Sequence, residues 1–250
     1  MARFLKHIGC DRCGSSDAKA LYEDGGSFCF SCRKPTGSKV SPYVASSQAP
    51  DAAEKKVTLP SDITQNYPKH AVDWCSKYEI SVEQMLQNGM VHSPFRDQLI
   101  FTFYDDTKNL LAYQARNLNP VSKAKRYFTC GDVNELLPIY HTRDGCSHSG
   151  GSLPRRLVLV EDCLSAIKVA HCEGLGASAM PLLGSGISRT KLTRLKSLYE
   201  RLTVFLDGDM YPKAVQIMRQ AQLLGFEVNV VYSPLDPKEN SYGNLTALLK

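Results

Sequence analysis

The clearest hydrophobic rhythm lies in the last hundred residues. Leu157-Val158-Leu159-Val160 is a short unbroken apolar run, as expected of a strand buried on both faces. Leu164, Ile167, Val169 and Ala170 then recur at roughly helical spacing until Gly174 and Gly176 stop them. Ala177–Leu183 predicts a second strand. Leu192, Leu195, Leu198 and Tyr199 predict a second helix, and Thr203–Leu206 a third strand. Ala214, Ile217, Met218, Ala221 and Leu224 mark a third helix ended by Gly225, and Phe226–Tyr232 alternates as a fourth strand. Strands and helices alternating in this way predict a parallel sheet with right-handed crossovers and helices on its faces.

The pattern upstream is mixed. Pro68–Tyr78 and Val82–Gln87 read as short helices, and Leu99–Tyr104 as a strand. Asp105–Asn109 turns the chain, and Leu110–Arg116 returns it as a hairpin. Residues 57–154 thus predict an α+β segment. Over residues 36–56 the periodicity vanishes: Gly37-Ser38-Lys39-Val40-Ser41-Pro42 and Ser46-Ser47-Gln48-Ala49-Pro50 read as a flexible linker. Such a tether spans roughly 25 Å on average. Residues 1–35 contain too few apolar side chains to fold unaided.

Cysteine spacing supplies what that first segment lacks. Cys10-Asp11-Arg12-Cys13 and Cys29-Phe30-Ser31-Cys32 are two C-x₂-C knuckles at the separation of a four-thiolate zinc site. Residues 1–35 are therefore expected to form a zinc ribbon whose folding and metal binding are one event. The other cysteines, Cys75, Cys130, Cys146, Cys163 and Cys172, are expected as free thiols, mostly buried as small hydrophobes.

Composition narrows the setting. The chain has 250 residues, 43% hydrophobic and 22% charged, with a formal net charge of +5. Those proportions fit a globular protein, and the mild positive balance is compatible with nucleic acid. Met1–Ile8 lacks the apolar stretch of a signal peptide, and no apolar run reaches the length of a membrane span. The odd cysteine count and the knuckles point to a reducing cytoplasm and no membrane partner.

In an open parallel sheet, ligands bind beyond the carboxyl ends of the strands. The four predicted strands end in Glu161-Asp162, in Gly184-Ser185-Gly186, in Asp207-Gly208-Asp209, and in the run leading to Asp236 and Lys238. Carboxylates gathered at one edge repel one another unless cations neutralise them. Glu161, Asp207, Asp209 and Asp236 are thus candidate ligands for one or two Mg²⁺ or Mn²⁺ ions, which prefer oxygen donors. Arg116, Lys123, Lys125 and Arg126, beside Tyr127-Phe128, are candidates for a groove that tracks phosphates and stacks bases, with Lys238 as a further nucleotide contact.

The series strand–Glu161, strand–Gly184, strand–Asp207-x-Asp209 resembles a Toprim domain. Preceded by a zinc ribbon and a basic α+β segment, it resembles the primase half of bacteriophage primase–helicase proteins, and bacterial-type primases generally. The ribbon shares His7-Ile8 before Cys10, Cys13-Gly14-Ser15-Ser16-Asp17, and Asp24-Gly25 before Cys29. The resemblance implies DNA-templated synthesis of RNA primers by metal-dependent nucleotidyl transfer. Glu161, Asp207 and Asp209 would be catalytic, with one structural zinc and catalytic Mg²⁺ or Mn²⁺. Single-stranded DNA and ribonucleoside triphosphates would be partners, with Arg12, Asp24 and Arg33 meeting base edges. The implied compartment is the cytoplasm, that of a bacterial host for a phage protein. Two departures stand out: Ser165 occupies the position of a second acid in the Toprim helix, with Asp162 as its possible substitute, and Gly26 stands where a His often follows Asp-Gly. No G-x₄-G-K-[ST] loop occurs, so a replicative helicase is expected as a separate partner. A Toprim-type nuclease and a non-catalytic DNA-binding or helicase-loading adaptor are the competing readings.

Overall fold

The computed structural model describes residues 3–32, 34–36, 57–105, 107–119, 126–133, 136–141, 156–184 and 186–250. The linker residues 37–56, Arg33, Lys123, Lys125, Cys146 and Ser185 lie outside the described residues. The chain divides into two compact units, Met1–Lys56 and Val57–Lys250.

In the first unit, β1 (Phe4–Ile8), β2 (Lys19–Tyr22), β3 (Ser27–Cys29) and β4 (Lys34–Thr36) form an antiparallel sheet in chain order. The fourth strand continues through Thr36, the first residue of the expected linker. Among its described residues, the buried apolar side chains are Cys10, Ala20 and Cys29, while Phe4, Leu5 and Phe30 stay about half exposed. Two of these three belong to the cysteine knuckles, so the unit's interior is largely its own candidate metal site.

The second unit holds two four-stranded sheets. β5 (Val91–Ser93), β6 (Gln98–Tyr104), β7 (Leu110–Asn117) and β8 (Tyr127–Gly131) form an antiparallel meander. β5 and β8 had no clear sequence signal, because one is three residues long and the other is exposed at every second or third position. The helices α1 (Lys69–Ser76) and α2 (Val82–Gln87) precede the meander. A capping box fixes the start of α2: Gln84 N–H donates to Ser81 Oγ, and Ser81 N–H to Gln84 Oε1.

The parallel sheet comprises β9 (Arg156–Val160), β10 (Ala177–Pro181), β11 (Arg201–Val204) and β12 (Glu227–Val230), in the order β10-β9-β11-β12. The helices α3 (Cys163–Ala170), α4 (Arg189–Lys196) and α5 (Tyr211–Gln222) connect the strands, and α6 (Tyr242–Leu249) ends the chain. β11 begins two residues before its expected start, and Phe205 N–H still donates to Leu159 O at 2.9 Å beyond its end.

Strand alternation divides the core. Leu157, Leu159, Leu202 and Val204 pack with Leu192, Leu195, Ile217 and Ala221 of α4 and α5. Val158, Val160, Ala179 and Phe205 pack with Ala166 and Val169 of α3 and Leu245 and Leu249 of α6. The remaining face of α3, Cys163, Leu164 and Ile167, packs with Leu99, Phe101 and Phe103 of β6. Helix α3 is therefore clamped between the two sheets, and all eight of its residues are buried.

Candidate functional site

The first unit brings its four thiols together. Their sulfur atoms all lie within 4.8 Å of one another, with Cys10–Cys32 at 3.9 Å and Cys13–Cys29 at 3.7 Å. A tetrahedral zinc with Zn–S bonds of about 2.3 Å separates its sulfurs by about 3.8 Å. The donor set and its spacing therefore fit zinc with little movement. Gly14, at φ +71°, lets the first knuckle close: its N–H donates to Cys10 O at 2.9 Å, and Cys10 N–H donates to Ser15 O at 2.7 Å. Backbone N–H groups of Cys13 and Arg12 face the Cys10 sulfur and draw its pKa down to about 6, towards the thiolate that a metal needs. All four cysteines of the expected zinc set are thus in one cluster.

The carboxylates occupy the edge of the parallel sheet. The order β10-β9-β11-β12 places a switch in winding direction between β9 and β11, and open parallel sheets bind ligands beyond the carboxyl ends at such a switch. Glu161 directly follows β9, and Asp207 follows β11 by way of the buried Phe205 and Leu206. Asp209 lies in the 3-10 turn Gly208–Met210, and Asp236 opens the 3-10 turn Pro237–Glu239 beyond β12. A Cβ on Gly208 would stand 3.0 Å from Ser233 O, so a side chain there would have to push that carbonyl back. Leu183 adopts a left-handed φ of +56° after β10, and its N–H points at Glu161 O, 3.4 Å away. A leucine in that region is strained, and such strain collects at functional sites.

The local field raises the pKa of two of these acids. Burial pushes Asp207 up to about 7; Lys238 pulls it back, while Asp236, Glu161 and Asp162 add to the rise. Asp207 Oδ1 is buried with no hydrogen-bond partner among the described residues. Burial also raises Glu161, and the charges of Asp162 and Asp209 raise it further. An unpaired buried carboxylate oxygen beside other acids is what a site for a hard divalent cation looks like before the cation binds. The edge acids are not drawn within 4.8 Å of one another as the thiols are.

Sequence reasoning did not find the internal counter-ion. Lys238 Nζ donates to Asp162 Oδ2 and to Asp236 Oδ2, both at 2.8 Å. Burial alone would lower the pKa of this ammonium, but the carboxylates of Asp162 and Asp236 outweigh it and hold it above the usual lysine range. The side chain is 11% exposed, so its position is that of a cation inside the acid cluster, with two protons committed. Lys168 supports it from α3: its Nζ donates to Lys238 O at 3.0 Å and pairs with Glu79 Oε2 at 3.1 Å. Asp162, the possible replacement ligand, is engaged twice, since its Oδ1 also caps α3 through Ser165 N–H at 2.9 Å. Ser165 itself is wholly buried in the clamped helix. Lys213, which carried no sequence signal, reaches the glycine loop: a Cβ on Gly186 would meet its Nζ at 3.3 Å.

The expected basic groove is only partly described. Arg116 lies on β7 with its guanidinium 5.2 Å from the Trp74 ring centre and 4.9 Å from that of Tyr127. Its Nε is buried without a hydrogen-bond partner among the described residues. Arg126 is exposed next to β8, and Phe128 is half exposed. Arg116 also lines a cleft of about 440 Å³ with His70, Trp74, Lys77 and Asp97. Of the other cysteines, Cys75, Cys163 and Cys172 are buried and Cys130 is half-buried.

No protein-family model matches the chain. Its structure is similar to the primase fragment of the bacteriophage T7 primase-helicase protein, with a TM-score of 0.50 and 18% identity over 98% of each chain. It is similar to the zinc-binding and RNA polymerase domains of Aquifex aeolicus primase, with a TM-score of 0.57 and 13% identity over 99% of this chain and 80% of that one. It also matches a DnaG primase catalytic domain solved with single-stranded DNA, at a TM-score of 0.56 and 15% identity over 74% of this chain and 72% of that one. From its four-cysteine antiparallel unit to its parallel sheet, the chain has the fold of DNA primases.

Proposed function

We propose that this chain is a DNA-templated RNA primase that joins ribonucleoside triphosphates into short primers on single-stranded DNA. The observation that carries the reading is Asp207: a buried, unpartnered carboxylate oxygen at the winding switch of a parallel sheet, in a chain with the primase fold. On this reading, 1–35 is a zinc ribbon, 36–56 a tether, and 57–154 and 155–250 the N-terminal and Toprim halves of an RNA polymerase domain.

Glu161, Asp207, Asp209 and Asp236 are the residues that would hold Mg²⁺ or Mn²⁺. When bound, such an ion neutralises triphosphate charge and steadies departing pyrophosphate. Glu161 stands rigidly after β9, and its raised pKa suits acceptance of the primer 3′-hydroxyl proton as that oxygen attacks in line. Asp207 is held by the register of β11 against β9, so the chain contributes position above all. Lys238 lessens repulsion among the acids and serves as internal counter-ion. Arg116 and Arg126, with Lys123 and Lys125, would follow template phosphates, and Arg12, Asp24 and Arg33 would meet base edges. Four thiolates leave zinc no open position, so its role would be structural. A replicative helicase and a cytoplasmic setting complete the reading.

The test is incubation with single-stranded template, labelled ribonucleotides and Mg²⁺. Short oligoribonucleotides that disappear in Asp207→Ala support a primase. Degraded template without synthesis identifies a nuclease. The buried Ser165, in place of an acid, favours the third outcome: an adaptor that binds template with neither reaction.

A further inference from the structure

We propose that His70, His92 and Asp97 form a second transition-metal site, separate from the cysteine cluster and from the acids of the parallel sheet. Three elements bring the donors together: His70 lies in the first turn of α1, His92 in β5, and Asp97 in the turn before β6. His70 Nε2 is 2.7 Å and His92 Nε2 3.2 Å from the same oxygen, Asp97 Oδ1. Among the described residues, this trio and the four cysteines are the groups whose ligand atoms gather within 4.8 Å.

A structural Asp–His pair needs one imidazole; here two converge on one carboxylate oxygen. Their rings meet edge to face at 79° with centroids 6.2 Å apart, so the nitrogens converge and the rings do not stack. Zinc bound to nitrogen and oxygen at about 2.0–2.1 Å would separate tetrahedral donors by about 3.3 Å. The His92–Asp97 distance already matches, and the His70–Asp97 distance of 2.7 Å needs to open by about 0.6 Å, which the exposed His70 side chain permits.

Two of the donors are held in advance. His92 is 3% exposed, and its backbone exchanges two 2.8 Å hydrogen bonds with Thr64. Asp97 adopts φ +48°, and its carbonyl accepts Leu118 N–H at 2.9 Å. His70 is exposed and supplies the adjustable third donor. Two imidazoles and one carboxylate suit Zn²⁺, Co²⁺ or Ni²⁺ and not Mg²⁺. Three protein ligands leave an open position, and it would face the cleft lined by Trp74, Lys77 and Arg116.

The experiment counts metal on the whole chain. The protein is equilibrated with Zn²⁺ in millimolar Mg²⁺, which occupies hard carboxylate sites, then desalted and assayed for zinc by atomic emission. Two zinc ions per chain are expected, falling to one in both His70→Ala and Asp97→Asn. With Co²⁺ in place of Zn²⁺, the variants should lose weak visible bands while the cysteine charge-transfer band persists. His70 is exposed, so its removal leaves the fold intact, as circular dichroism checks. One zinc per chain in the unaltered protein overturns the proposal, as does a second zinc that both variants retain.

Discussion

Asp207→Asn should stabilise the Mg²⁺-free protein at neutral and higher pH while removing its response to Mg²⁺. The side chain is half-buried and its pKa is displaced from 3.8 to about 7. At about 1.4 kcal/mol per pH unit, that displacement bounds the cost of ionising Asp207 at about 4 kcal/mol. Partial solvent access reduces this to roughly 2 kcal/mol. The sign follows from the raised folded-state value. The stability associated with the neutral form is full below pH 3.8, where folded and unfolded chains are both protonated. It is lost as pH rises to about 7, because the unfolded chain ionises first. Asparagine stays neutral throughout and escapes that loss. Urea unfolding followed through Trp74, the chain's single tryptophan, reports on the unit Val57–Lys250. Near pH 8 the variant should exceed the parent by roughly 2 kcal/mol, a gap that narrows as pH falls towards 4. Millimolar Mg²⁺ should raise the parent's midpoint and leave the variant's unchanged. A variant less stable than the parent at pH 8, or a gap independent of pH, would refute the assignment of Asp207 as an unpaired acid awaiting a cation.

Three further outcomes are expected. Lys238→Met leaves Asp162 and Asp236 without their shared cation, so urea unfolding should show a loss of about 2–4 kcal/mol. It should also move the acid limb of any Mg²⁺-dependent activity to higher pH, because the charge that lowers the Asp207 pKa is gone. Chelating zinc should unfold residues 3–36 and leave the Trp74 transition in place, since the first unit's interior is built on Cys10 and Cys29; a shared melting transition would contradict this. Cleaving the chain within 37–56 should abolish template-specific initiation and spare extension of a supplied primer, and unchanged initiation sites would show that the ribbon does not read the template.

The parts legible in the sequence are those where a local pattern has one physical solution. Two C-x₂-C knuckles specify a metal cluster, because four thiols at that spacing have few other uses. The run Leu157–Val160 and the helical spacing in Leu164–Ala170 specify a buried strand and a covered helix, since both must hide apolar faces. Carboxylates at successive strand ends follow from parallel topology. Helix α6 escaped notice although Ser241 and the four-residue spacing of Leu245 and Leu249 were there to be read. β5 and β8 escaped because their burial comes from neighbours in the meander and not from their own periodicity.

What only the tertiary structure decided is how charge is balanced. The sequence places Asp162, Asp236 and Lys238 up to 76 residues apart, and folding brings one ammonium between two carboxylates. That contact makes Lys238, the candidate nucleotide contact, an internal counter-ion as well, and engages Asp162 as a cap and a partner. His70, His92 and Asp97 gave no sequence signal because their spacing matches no motif; they meet only where α1 crosses the β5–β6 turn. Residue type and period fix which groups must be buried or must find a metal, whereas the energy of a charge depends on what stands within a few ångströms of it, and long-range packing sets that.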